Sequence, residues 1–565
     1  MDSLATEHLN RLWSTVVIAT CRAQGITDFF VAPGSRCTPL TTELARQKAA
    51  GEAITIHQHF DERALAFCCV GYGKAANRPG VFICTSGTAV ANALPAVIES
   101  SAEDIPFVLL TADRPPELRG TGANQTIDQV DLFGRYPRLF VDLECPTADV
   151  EPSDLSRRIA DALAQSTHGP VHINCMFREP FDASDDPVEL SADLVREKSI
   201  AANGDSLRDS QAESTVGQGG NTLVIASGCR REVALAAQQL ATRIGCPFLA
   251  DVTSGLRSLA YDYALAESPE RLQPQTIIHV GRRITSKRLL TFIENTRPTE
   301  YLHINETDQP IDPLHQVTRR LVGDVASICS QIELKSPSSP AFREAWTAAS
   351  ASTVALFAKA LTADEVTEPA IAYAIAAAIP SETGLFLGNS MPVRDMDAFG
   401  FWPDDREIHV ASNRGASGID GTIATAVGHA AGIANMTTAV IGDLAALHDL
   451  NALSLVRSSQ QPIVLVLINN DGGGIFHFLP VASQTDQFEQ YFGTPHGRTF
   501  AAAAKMFDIA YDAPESMSAF REKYTAALQS ESSTIIEVAT DRNRNVEFHQ
   551  QLLEQVRLAL FGSKP

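Results

Sequence analysis

The chain has 565 residues, with 45 Lys or Arg against 67 Asp or Glu and a formal charge of −22 at pH 7. An apolar fraction of 44% with 20% charged residues is ordinary globular composition, which excludes wholesale disorder, and the length suits about three or four domains. A surface this acidic repels phosphate backbones and anionic lipid, so no nucleic acid and no membrane is expected as a partner, although a pocket can be basic inside an acidic whole.

The opening MDSLATEHLN has no basic region ahead of a hydrophobic core and does not read as a signal peptide. No apolar run approaches the roughly 20 residues of a membrane span. The ten cysteines lack CxxC spacing. Cys68-Cys69 reads as buried helix packing, and a reducing cytoplasmic location is expected.

In chain order, TDFFVAPG, AITIHQHF, GVFICTSG and DIPFVLLTAD read as buried strands, each leading into an amphipathic or Ala-rich helix. A polar, Gly/Ser-rich joint follows at Ile200 to Asn221. Next come NTLVIASG, CPFLADV and TIIHVGRR, and then a second joint, KSPSSPAF (Lys335 to Phe342), whose prolines discourage helix. The last block carries GLFLGNS, TTAVIGD, PIVLVLINN and STIIEVA. Apolar strands that end in Gly, Asp, Asn or Ser and feed helices are the pattern of parallel sheets covered on both faces. The expected fold class is therefore α/β: three doubly wound parallel-sheet domains over residues 1–195, 220–335 and 342–565. Ligands of such sheets bind beyond the carboxyl ends of the strands.

Two strand ends carry the most chemistry. One strand ends at Asp443, a helix of about 15 residues is expected next, and the following strand ends at Asn469-Asn470, the spacing of one βαβ crossover. Asp443 and Asn470 would then sit side by side on adjacent strands. A carboxylate, an amide oxygen and backbone carbonyls suit Mg²⁺, and Gly472-Gly473-Gly474 lets the backbone approach a ligand. Either residue alone reads as well as a cap. Early in the chain, Asp61 and Glu62 open a helix, where acids are favourable in any case.

The GDL…NN spacing resembles the Mg²⁺–diphosphate motif of thiamine diphosphate enzymes, with Leu444 where Gly is usual. The resemblance implies pyrimidine-binding, central and diphosphate-binding domains, and an acid at the aminopyrimidine nitrogen, a role that falls to Glu62. The motifs VAPGSRCTPL, HFDERA, TADRPPELRGTGANQTIDQ, VGRRITSKRLL, GNSMPVRD and SNRGASGIDG together resemble the 2-succinyl-5-enolpyruvyl-6-hydroxy-3-cyclohexene-1-carboxylate (SEPHCHC) synthases. That family joins isochorismate to the four-carbon unit left when 2-oxoglutarate loses carbon dioxide, in menaquinone and phylloquinone biosynthesis.

By this resemblance Asp443, Asn470 and the Gly472 carbonyl hold Mg²⁺ or Mn²⁺. Gly442, Leu444 and Ile475 join them at the cofactor, Ile419 wedges it into a bent shape, and Phe476 and Leu479 extend an apolar wall from Ile475. Ser390, Arg394 and Arg414 hold the distal carboxylate of the 2-oxoglutarate-derived unit. Ser35, Arg36, Arg114, Asn124, Gln125, Lys287 and Arg288 surround isochorismate. A homodimer or homotetramer with the cofactor at the subunit interface is implied. The arginines agree with dicarboxylate substrates, since a guanidinium pairs a carboxylate bidentately. His57 and His59 receive no role.

Three other readings compete. A pyruvate-type thiamine enzyme would not need the arginine-bearing motifs. A nucleotide-binding dehydrogenase would rest on GYGKAA at Gly71, which follows a helical pattern rather than a strand. A catalytically silent scaffold would have no need of the acid, the metal ligands and the arginines together.

Overall fold

A computed structural model of the chain describes residues 6–181, 216–217, 220–403 and 405–562. Most of the first joint and the end of the first block, residues 182–195, therefore lie outside the described residues. Three main sheets are present, and every pairing in them is parallel. The first runs β2-β1-β3-β4-β6-β5, from β1 (Asp28–Val31), β2 (Thr55–Gln58), β3 (Gly80–Cys84), β4 (Phe107–Asp113), β5 (Leu139–Leu143) and β6 (Pro170–Met176).

A two-residue ladder joins β7 (Val216–Gly217) to β13 (Glu333–Leu334). The second sheet, β12-β11-β10-β8-β9, is built from β8 (Thr222–Ser227), β9 (Phe248–Ala250), β10 (Thr276–Gly281), β11 (Glu300–Asn305) and β12 (Arg319–Val322). The third runs β15-β14-β16-β17-β19-β18, from β14 (Thr383–Leu387), β15 (Ile408–Ala411), β16 (Thr437–Gly442), β17 (Ile463–Asn469), β18 (Ala510–Asp512) and β19 (Thr534–Ala539). The first and third sheets share one strand order. In each, the order reverses beside its first strand, which is where such folds place ligands.

The chain clusters into two compact units. One holds residues 1–203, 415–434 and 448–460, and the other holds 204–414, 435–447 and 461–565. The core of the first unit comes from strand residues such as Phe29, Val81, Ile83, Val108, Leu110, Val171 and Ile173, all buried, packed by helix Thr6–Ala23 through Trp13, Val17 and Ile18. Continuous burial of β3, β4 and β6 explains why they read as apolar runs rather than alternating ones.

GYGKAA lies in helix Glu62–Ala76, and its glycines serve helix packing. A Cβ at Gly71 would come within 2.1 Å of the Thr425 carbonyl oxygen, and one at Gly428 within 1.8 Å of that of Cys68. Cys68 and Cys69 are buried in the same helix with free thiols, as expected from the sequence.

Two expectations need correction. The joint at Lys335 to Phe342 is not free of helix. Helix Pro340–Ala360 begins inside it, because proline is tolerated at the first helical position and Ser339 caps the start by accepting from Phe342 N–H. The single helix expected after Asp443 is broken into Asp443–His448, a 3₁₀ turn at Leu450–Ala452, and Leu453–Ser458. The break falls at Asp449, whose buried carboxylate accepts from Ala424 N–H at 3.0 Å instead of continuing a solvent-facing helix surface. Among the described residues no helix is long and apolar enough to cross a membrane.

Candidate active site

In the first unit the candidate residues gather where strands end. Asp61 caps helix Glu62–Ala76 by accepting from Arg63 and Ala64 N–H, so the helix start does not need Glu62. Glu62 is half-buried, and its Oε2 accepts from Asn92 Nδ2 at 3.2 Å. His57 stacks on Phe30 and meets Asp28 at 3.0 Å, while His59 Nε2 meets Ser454 Oγ at 2.7 Å. Both histidines are engaged in packing.

After β1, Ser35 is exposed and Arg36 buried. Arg36 donates to the Phe177 carbonyl and to Glu179, each at 2.9 Å, and lies over the Phe181 ring. After β4, Arg114 donates to Ser86 Oγ and, at 2.8 Å, to the Asn124 carbonyl. Gln125 Nε2 donates to the Ser86 carbonyl at 3.1 Å. Burial lowers the Arg36 pKa, and the charge of neighbouring Arg114 lowers it further. Glu179 and Asp113 offset this only in part, so the two cations still favour a further anion beside them. Ile419, also in this unit, is 42% exposed, which rules out an ordinary core isoleucine.

The loop that carries Arg114, Asn124 and Gln125 is clamped from beneath. Arg119 forks onto Asp142 at 2.9 and 3.0 Å and reaches Asp113 at 2.6 Å. Asn174 donates to both acids, and Gln129 closes the loop onto the Ala112 carbonyl and Asn174. Burial pushes the Asp142 carboxyl up, but hydrogen bonds from Arg119 and Asn174 and the charge of Arg119 outweigh it and hold its pKa below the ordinary carboxylate value. A depressed carboxyl contributes stability above its unfolded pKa and loses it as pH falls through the folded value. The clamp is therefore expected to hold at neutral pH and to open only in acid, once pH falls below the ordinary carboxylate range. Arg119→Ala opens it at every pH. Protease cutting within 114–129, relative to the rest of the chain, is expected to rise about tenfold, the kinetic equivalent of roughly 1.4 kcal/mol of local opening. Unchanged cutting in Arg119→Ala would show that the fork holds nothing.

In the second unit, helix Met391–Phe399 and the turn after β15 carry a second guanidinium pair. Arg394 donates to the Ser390 carbonyl, and Arg414 Nη1 donates to Asn389 Oδ1 at 2.7 Å. Burial lowers the Arg394 pKa, and the nearby Arg414 lowers it further. Ser390 has φ +72°, a conformation a non-glycine residue adopts only when its surroundings impose it. Lys287 is exposed at the start of helix Lys287–Thr296. Arg288 meets Asp262 at 2.5 Å and lies over the Tyr263 ring, whose hydroxyl meets His549 at 2.7 Å, and His549 in turn meets Asp395 at 3.2 Å.

The register pairs Gly442 with Ile468, which brings Asp443 and Asn470 to the same edge of adjacent strands. Asp443 Oδ1 accepts from Leu444 N–H at 2.6 Å, and Oδ2 accepts from Gly472 N–H at 2.9 Å with His496 Nε2 at 3.2 Å. Burial raises the Asp443 pKa, only partly offset by these donors. Asn469 spends its amide on the Arg498 carbonyl and Glu537, whereas Asn470 donates to Glu368 and keeps a buried Oδ1 without a protein partner.

At Gly472, φ is +138° and a Cβ would lie 1.9 Å from the Gly493 carbonyl oxygen, so no other residue fits. Gly473 N–H donates to that same carbonyl at 2.7 Å, locking the loop. Beyond it, Ile475 and Phe476 are half-buried in a 3₁₀ turn, Phe476 meets Phe492 at 5.8 Å, and Leu479 is exposed. Among the described residues no group of three His, Cys, Asp or Glu could hold a metal.

Asn92, Asn389, Glu368 and His496 touch the candidate residues but were not singled out from the sequence. Asn389 lies inside the GNSMPVRD motif, but Asn92, the TEP of a helix start and the HGR of a loop carry no local signal for these contacts.

Comparison with known proteins identifies the domains and the family. Family models match in order: the N-terminal thiamine pyrophosphate (TPP) binding domain over residues 13–132, the middle domain over 210–387, and the C-terminal TPP binding domain over 396–538. Three parallel α/β sheets with this domain set define a thiamine pyrophosphate enzyme. A protein of Rubrobacter xylanophilus is 39% identical over 97% of this chain and 98% of its own length. One of Salinibacter ruber is 39% identical over 97% of each, and one of Chlorobium phaeobacteroides is 37% identical over 98% of each. All three are named 2-succinyl-5-enolpyruvyl-6-hydroxy-3-cyclohexene-1-carboxylate synthase. The chain belongs to the SEPHCHC synthase family.

Proposed function

We propose that the protein catalyses thiamine diphosphate-dependent decarboxylation of 2-oxoglutarate and transfer of the resulting succinyl unit to isochorismate. The products are SEPHCHC and carbon dioxide, in menaquinone or phylloquinone biosynthesis. The observation that carries this reading is the occurrence of two guanidinium pairs at strand ends, Arg36 with Arg114 and Arg394 with Arg414, in an otherwise acidic chain. Two dicarboxylates need two such anchors.

The residues present fit the cofactor. The space over Gly442 is open, Asn470 Oδ1 lacks a partner, and Asp443 is a buried carboxylate that a cation would stabilise. An all-oxygen set of Asp443, Asn470 and the Gly472 carbonyl suits Mg²⁺ or Mn²⁺, with further ligands borrowed from a diphosphate. Thiamine diphosphate, when bound, supplies the nucleophilic carbon and the electron sink. Glu62 holds a proton at the pyrimidine nitrogen. Arg394, Arg414 and Ser390 orient one acid, while Ser35, Arg36, Arg114, Asn124, Gln125, Lys287 and Arg288 orient the other. Ile419, Ile475, Phe476 and Leu479 exclude water from the reacting centre.

The functional domains span 1–195, 220–335 and 342–565. The assembly is a cytoplasmic homodimer or homotetramer, with each cofactor between subunits.

An assay with thiamine diphosphate, Mg²⁺, 2-oxoglutarate and isochorismate, omitting each in turn, tests the reaction. Carbon–carbon bond formation is expected only in the complete mixture. A condensed product formed without isochorismate would identify a simpler 2-oxoacid enzyme instead.

A further inference from the structure

We propose that Glu368 is a positioning residue that fixes which end of the Asn470 amide faces the metal. The inference rests on the reading of Asn470 as a metal ligand. Glu368 is 4% exposed at the start of helix Glu368–Ala378, where an acid would ordinarily serve the helix terminus. That duty belongs to Thr367, whose side chain accepts from Ala370 N–H.

Glu368 instead turns its Oε1 onto Asn470 Nδ2 at 3.0 Å, and Thr540 Oγ1 donates to the same oxygen at 3.2 Å. The contact spans 102 residues of sequence. Thr540 alone already makes Oε1 an acceptor, and an accepting oxygen is met by the NH₂ end of Asn470 rather than by its carbonyl. Its Oδ1 is thereby pointed the other way, buried and without a protein partner.

The neighbouring Asn469 shows the contrast. Its Nδ2 is spent on Glu537 at 2.6 Å and the Arg498 carbonyl at 2.9 Å, and its Oδ1 accepts from Asp471 N–H at 3.1 Å. Of the two asparagines, one is consumed in holding the loop. The other is held by an acid so that an oxygen remains for a cation. Outer partners of this kind typically control metal affinity by about 10–100-fold.

The test is a Mg²⁺ titration of the full-length protein at fixed thiamine diphosphate. Holoenzyme formation is followed by thermal shift and intrinsic fluorescence, with turnover measured in parallel. Glu368→Met removes the acceptor at similar volume. It is expected to raise half-saturating Mg²⁺ about 10–100-fold, with turnover recovering as Mg²⁺ is raised. Glu368→Gln, whose carbonyl can still accept, is expected to stay much nearer the parent.

Asn470→Ala serves as the reference. If it shifts Mg²⁺ dependence and Glu368→Met does not, the positioning role is overturned while the ligand reading stands. If Asn470→Ala leaves Mg²⁺ dependence unchanged, the ligand reading itself falls. Should Glu368→Met not accumulate as folded protein, Glu368→Asp withdraws the acceptor by one methylene. A rise in half-saturating Mg²⁺ supports the role, and an unchanged value overturns it.

Discussion

Glu62→Gln is expected to bind thiamine diphosphate nearly as the parent does and to lose about 10²–10⁴-fold in turnover, the range typical of a positioned proton donor or acceptor. The substitution isolates the proton. Gln has the shape of Glu and can still accept from Asn92, and the helix start does not depend on position 62 because Asp61 does the capping. Loss of fold is therefore not an expected route to loss of activity. Thermal shift on adding cofactor and Mg²⁺ measures binding, and steady-state rates at saturating substrates measure turnover. Near-parental turnover would remove Glu62 from the chemistry.

Arg394→Ala is expected to raise the KM for 2-oxoglutarate about 10–100-fold while leaving the KM for isochorismate within a few-fold. A hydrogen bond to a charged group is worth about 1.5–3 kcal/mol, and each 1.4 kcal/mol is a factor of ten. Arg394 is half-buried, destabilised in its charged form by burial and by Arg414, and bonded to the backbone carbonyl of Ser390. A substrate carboxylate would relieve that repulsion. Arg394→Lys is expected to recover only part of the loss, because an ammonium cannot reproduce the planar fork. An unchanged 2-oxoglutarate KM would place the anchor elsewhere, and an equal rise for isochorismate would argue against two separate acid sites.

The strands that were legible in the sequence are those that carry an uninterrupted apolar run, such as FVLL in β4 and IVLVLI in β17, both buried throughout. Strand β6 was not among those read. PVHINCM carries His172 and Asn174, which look like surface residues, yet both are buried, with His172 paired to Thr111 at 2.7 Å and Asn174 tied into the loop clamp. Strands β5, β11, β12, β15 and β18 were likewise not read. Four of them, β5, β12, β15 and β18, are edge strands of their sheets, with partly exposed faces that weaken the apolar run.

The Asp443–Asn470 juxtaposition was legible because one crossover fixes it, and the strand register places the two residues together. The partners that tune them were not, since His496 lies 53 residues from Asp443 and Glu368 lies 102 from Asn470. Contacts of that range are set by tertiary packing and leave no spacing rule in the chain. Arg288 shows the reverse case. The motif that contains it is plain in the sequence, but its guanidinium is engaged by Asp262 and Tyr263, which the motif did not foretell.

Subunit complementation tests most directly the proposal that Glu62 of one chain and Asp443 of another serve one cofactor. Glu62→Gln and Asp443→Ala are each expected to be nearly inactive as pure proteins. If sites form between subunits, a mixed dimer has one site with both lesions and one site with neither. Statistical exchange of equal amounts should then restore about a quarter of the parental specific activity in a twofold-symmetric dimer. No recovery, after mass measurement has shown that mixed dimers formed, would contradict the claim.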